Sequence, residues 1–162
     1  MAIELVLSVE KEVLNEEWVL KGIHDLGFAS TVETPSHEPV FWCTSCYETL
    51  GFQVTLAKSV SSSSPPPEIG LLGWAEFEYR QFLRFRFDKD IELNNAFDRA
   101  MKMIFRLMAH AHTRAFLETG NSDEICFFNE DESIIINKSS GMFANLDIKK
   151  ELPGWNVIEV TL

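Results

Sequence analysis

Cys43-Thr-Ser-Cys46 spaces two thiols as in one half of a zinc site or as in a redox pair. A structural zinc needs four ligands. Cys126 stands alone, and His24 and His37 lie at no metal-binding spacing from the pair. A redox pair opens a helix that follows a strand, where the dipole lowers a thiol pKa, and no helix signal follows Cys46. The spacing therefore reads as incidental. His110 and His112, two residues apart, fall on different faces of a helix and make a poor chelate; near a helix C-terminus they read as capping or surface groups. Glu118, Asp123, Glu124, Glu130, Asp131 and Glu132 form a cluster with no basic residue among them. Carboxylates can bind Mg²⁺ or Ca²⁺ or act as an acid/base pair, but this spacing is not that of a calcium loop. A solvated turn is the ordinary reading and a docking patch for a cationic partner the second. Trp42 and Trp74, beside polar loops, are candidate exposed anchors, since tryptophan is enriched where partners bind. No glycine-rich phosphate loop, nucleophile elbow or His-Glu-x-x-His motif occurs. No catalytic, cofactor-binding or metal-ligating residue is nominated, and an enzyme is not expected.

The elements that position these residues follow from hydrophobic period. In Phe82-Leu-Arg-Phe-Arg-Phe87, Leu83, Phe85 and Phe87 share one face and Phe82, Arg84 and Arg86 the other, a strand pattern. From Asn94 the period lengthens. Phe97, Ala100, Met101, Ile104, Leu107, Met108 and Ala111 recur at three and four, which predicts a helix to about His112 or Phe116. Ile3 to Val9 reads as a first strand. Glu10 to Leu26 reads as an amphipathic helix, with Asn15 able to cap a later start and Gly27 as its stop. Val40 to Tyr47 is β-forming without a clear period, and Phe52 to Leu56 is a cleaner strand. Glu124 to Phe128 and Ser133 to Asn137 predict a hairpin, and Val157 to Leu162 a short last strand. The order predicts an α+β fold, a mostly antiparallel sheet with two helices packed on one face.

At 162 residues the chain suits a single globular domain, 1–162, with a mobile Ser/Pro-rich loop at 59–68. Its 14 basic and 25 acidic residues leave a formal charge of −11. That argues against nucleic acid as a partner and suits a basic protein. Net charge also simply keeps a protein soluble. No apolar run is long enough to span a membrane, and the start lacks the character of a secretion signal. Three cysteines without a signal fit a reducing compartment. A cytoplasmic location is expected.

Three stretches resemble the immunity proteins paired with swarming-inhibition, contact-dependent bacterial toxins, the Sit-type family. Tyr47-Glu-Thr-Leu-Gly-Phe-Gln-Val-Thr55 is similar to its glycine-entered strand. Leu83-Arg-Phe-Arg-Phe-Asp-Lys89 is similar to its strand-to-helix corner. Asp123-Glu-Ile-Cys-Phe-Phe-Asn-Glu130, with Ser133 to Lys138 and Gly141, is similar to its closing hairpin. The likeness covers about residues 47 to 145 and the opening strand and helix in general form; the Ser-Pro loop and the Cys43/Cys46 pair depart from it. It implies a cytoplasmic binding protein that neutralises a delivered toxin, with no catalytic residues. With the charge, it makes a basic toxin the expected partner and Trp74, Glu118, Asp123, Glu124, Glu130, Asp131 and Glu132 the candidate contact residues. The alternative is a structural or assembly protein that self-associates into a homo-oligomer.

Overall fold

The computed structural model describes residues 3–28, 31–33, 40–59, 65–90 and 92–162, and the side chains of 31–33, 40–43, 45–48 and 94 lie outside the description. Residues 60–64, half of the expected Ser/Pro-rich loop, and the thiols of Cys43 and Cys46 therefore lie outside the described residues.

Strand alternation builds one face of a large sheet. In β1 (Ile3–Val9) Leu5, Leu7 and Val9 are buried. After α1 (Glu16–Asp25), β2 (Thr31–Glu33) and β3 (Val40–Cys46) comes α2 (Tyr47–Leu50), a single turn directly after Cys46 where no helix was expected, and β4 (Phe52–Lys58) then buries Phe52, Val54 and Leu56. A small excursion follows, β5 (Glu68–Ile69) and β6 (Ala75–Glu76) around a 3-10 turn at Gly70–Leu72. β7 (Gln81–Phe87) then buries Leu83, Phe85 and Phe87 and exposes Arg84 and Arg86. Register aligns these positions across strands: Leu5 and Val54 both lie opposite Phe85, and Leu7 and Leu56 both lie opposite Leu83. One slipped residue would turn a whole strand's apolar set to the wrong face.

The remaining elements are α3 (Leu93–Ala111), β8 (Ala115–Thr119), β9 (Glu124–Phe128), β10 (Ser133–Asn137), α4 (Ile148–Glu151) and β11 (Asn156–Val160). Nine strands share one sheet in the order β11-β10-β9-β8-β1-β7-β4-β3-β2. The first strand is thus central, with one meander on each side of it. Every described pairing is antiparallel except β10 with β11. The expected α+β architecture, a mostly antiparallel sheet with two main helices in its principal core, is what the chain adopts.

The expected apolar stripe of α3 is the buried one: Ala100, Met101, Ile104, Leu107, Met108 and Ala111 all belong to the core. Met103 is buried as well, because α3 is covered on a second side by α1, and Phe105 is buried against Phe128 of β9, their rings edge to face at 5.9 Å. The two helices meet at Gly22, where a Cβ would lie 3.3 Å from Cγ of Met103. α1 starts later than its apolar pattern, at Glu16, because the Asn15 side chain accepts the Trp18 amide hydrogen at 3.0 Å and ends the preceding loop. α3 stops at the earlier of its two expected ends, with His112 in the left-handed region at φ 47°. Residues 115–119 instead supply the partner that the free edge of β1 needs, setting Ala115 opposite Val9 and Leu117 opposite Leu7.

The sheet has a smaller core on its other face. Ile69, Leu71 and Phe77 of the excursion pack there with Phe116 and Phe127, and the Phe77 and Phe127 rings meet edge to face at 5.2 Å. No helix among the described residues is long and apolar enough to cross a membrane.

Candidate functional site

β9 is the axis along which the candidate carboxylates are arranged. Glu124 begins it, Asp123 precedes it, and Glu130, Asp131 and Glu132 follow its far end. Successive turns of an antiparallel meander lie at opposite ends of the strands, so five residues of β9 separate the two acidic groups by roughly 17 Å. The stretch that is continuous in sequence is divided in space.

At one end Glu118 lies opposite Glu124 across β8 and β9. The Glu124 carboxylate is committed to structure: Oε1 accepts the Gly70 amide hydrogen at 2.7 Å and Oε2 that of Leu71 at 2.8 Å. A Cβ on residue 70 would lie 3.1 Å from Oε1, so the glycine permits this approach. Glu118 is half-buried. Burial, and secondarily the charge of Glu124, hold its carboxyl above the ordinary range. Asp123 accepts from the Thr119 hydroxyl at 3.2 Å and closes the β8–β9 turn. A cleft of about 450 Å³ opens beside this turn, lined in part by Ser122, Asp123, Asn137 and Ser139.

At the other end Glu130 pairs with Lys11, both half-exposed. Asp131 accepts from the Ser133 hydroxyl at 2.6 Å. Glu132 is exposed with φ 59° and turns the chain. Nearby, Arg114 binds one oxygen of Glu10 through Nε and Nη2, and this contact lowers the Glu10 pKa. This end is cross-linked by cations, whereas among the described residues no ion pair takes Glu118, Asp123 or Glu124.

Trp74 belongs with the Glu118 end. It sits at the turn of the β5–β6 excursion, its amide bonded to the Ile69 carbonyl at 2.9 Å, next to the Gly70–Leu71 amides that Glu124 holds. It is 70% exposed. Trp18 and Trp155 are partly buried against the main core, and the side chain of Trp42 lies outside the described residues. The structure thus brings together Trp74, Glu118, Asp123 and Glu124 and sets Glu130, Asp131 and Glu132 apart.

Among the described residues no three His, Cys, Asp or Glu side chains converge as metal ligands. Cys126 is fully buried, and burial raises its thiol pKa well above the usual value.

Sequence reasoning missed two features. Glu68 and Glu76 face each other across the excursion, and Gln81 is buried with both ends of its amide bonded to Leu14. The glycines at 70 and 73, three apart and just before a tryptophan, were the available sign of a built turn.

A family model described as SitI3-like matches residues 4–146. The chain belongs to the SitI3-like family. The Sit-type resemblance carried by the glycine-entered strand, the strand-to-helix corner and the closing hairpin is therefore correct, and the match extends it through β1 and α1. No curated protein and no solved structure matches the chain. The SitI3-like region contains the whole excursion with Trp74 and both acidic groups; β11 lies beyond it.

Proposed function

We propose that this protein is a cytoplasmic immunity protein that acts by binding, without catalysis, and neutralises a basic, contact-delivered bacterial toxin. Membership of the SitI3-like family over residues 4–146 carries this reading. The formal charge of −11 supports a basic partner. The surface around Trp74, Glu118 and Asp123 supports the docking role better than the Glu130 end, where Lys11 already meets the acid. Exposed carboxylates act mainly on the association rate, so binding weakens as salt rises. The deciding experiment is co-expression with the product of the neighbouring toxin-like reading frame. Restored growth and a complex isolated at low salt are the expected results; unchanged toxicity with no complex overturns the reading.

A second reading, self-association, draws support from β11. The Asn156 amide bonds to Glu132, so the backbone groups of Val157, Glu159 and Thr161 point away from β10 toward a free edge. Ile158 on that strand is 41% exposed. Light scattering separates the readings: a concentration-dependent oligomer of the isolated chain favours this one.

A further inference from the structure

The Trp74 backbone closes the β5–β6 turn, but its side chain belongs to neither core. Its indole is 70% exposed. Its φ of 66° lies in the left-handed region, which costs a non-glycine residue about 1 kcal/mol or more. Two residues on, Glu76 lies directly opposite Glu68. Both are exposed, and no ion pair among the described residues takes either carboxylate. Like charges facing each other across a strand pair are destabilising. The tip is nonetheless held firmly. Ile69, Leu71 and Phe77 are anchored in the second core, Glu124 fastens the Gly70 and Leu71 amides, and the Gly73 amide bonds to the Gly70 carbonyl at 2.9 Å. An exposed tryptophan two residues before Glu76, on a turn whose strands set Glu68 opposite Glu76, suits one kind of occupant. A guanidinium stacks flat on an indole and bonds carboxylates through its planar fork. Phosphate would be repelled.

We propose that the β5–β6 tip recognises an arginine side chain of a protein partner, with the Trp74 indole as platform and Glu68 and Glu76 as its counter-charges. This inference deepens the binding function proposed above and rests on it. The test titrates the ¹⁵N-labelled full chain with hexa-arginine amide at low salt. The Trp74 indole N–H, assigned through its loss in Trp74→Phe, should shift most of the four tryptophan signals. Glu68→Gln with Glu76→Gln should weaken binding by about tenfold. Glu16→Gln with Glu17→Gln removes the same charge at the start of α1 and should leave affinity nearly unchanged. Glu76→Gln should melt no lower than the parent, since it relieves a repulsion. An unmoved Trp74 signal, or equal losses in the two double variants, overturns the proposal. The product of the neighbouring reading frame separates the two claims. If it binds the parent and the Trp74→Ala/Glu68→Gln/Glu76→Gln variant equally well, the tip is wrong and the binding function stands. If it does not bind while the peptide results hold, the tip stands and the immunity reading falls.

Discussion

Gln81 shows how much one buried polar side chain can organise. Its Nε2 donates to the Leu14 carbonyl at 2.8 Å and its Oε1 accepts the Leu14 amide hydrogen at 3.0 Å, which ties the loop before α1 to the sheet. Leu14 is itself buried, so Gln81→Leu strands two backbone groups and should cost about 2–4 kcal/mol in denaturant unfolding. Glu118 provides a pH signature. Its folded-state pKa is raised, so the folded chain binds more protons than the unfolded one between the unfolded and folded values. Its contribution to stability therefore falls as pH rises through that window. Glu118→Gln should raise the melting temperature at pH 7 by a degree or two and leave it unchanged at a pH below the unfolded value near 4.5; thermal scans at both values check this. These residues were only partly legible. Glu118 was visible as an acid, but its burial depends on a strand that α3 hides. Gln81 opens a strand and looks like any polar end residue until Leu14, 67 positions away, is brought to it.

At the scale of elements, period was a sound guide wherever one face alone is buried. β1, β4, β7 and the core stripe of α3 show it. It failed where the apolar pattern ran on past a change of structure. Ala111, Ala115 and Phe116 keep helical spacing, yet the chain turns at His112 and the last two enter β8 on opposite faces, Ala115 to the main core and Phe116 to the smaller one. β5 and β6, two residues each, carry too little pattern to be read at all. Ile104 lies at the middle of the stripe with no exposed surface. Ile104→Asp places an unpaired charge there and should cost several kcal/mol, enough to abolish the folded-state circular dichroism at room temperature. A variant that melts like its parent would mean that α3 does not face the sheet.

The whole molecule has a core on each face of its sheet. Helices α1 and α3 and the broad face of the sheet hold the main core, while the excursion carries the second core and the Trp74 tip. The resemblance to the Sit-type family could be read because it rests on fold-forming stretches. Which of the candidate contact residues share one end of the sheet could not, because that depends on which turns of a meander come to lie at the same end. One structural feature sets a practical limit on engineering this chain. β10 carries Ile134, Ile135 and Ile136 in a row and, among the described residues, is paired on its outer side by β11, whose Glu159 pairs with Lys138 at 2.8 Å. A chain cut after Trp155, which keeps α4 and its core residues Ile148 and Leu152, would present that isoleucine run as a bare edge. Such segments, rich in β-branched residues and free of charge, nucleate cross-β stacking. The shortened protein should accumulate as thioflavin-positive aggregate where the full chain stays in solution, and Ile135→Lys should restore solubility to it. In the full chain β11 covers that isoleucine edge and replaces it with an edge that carries Glu159.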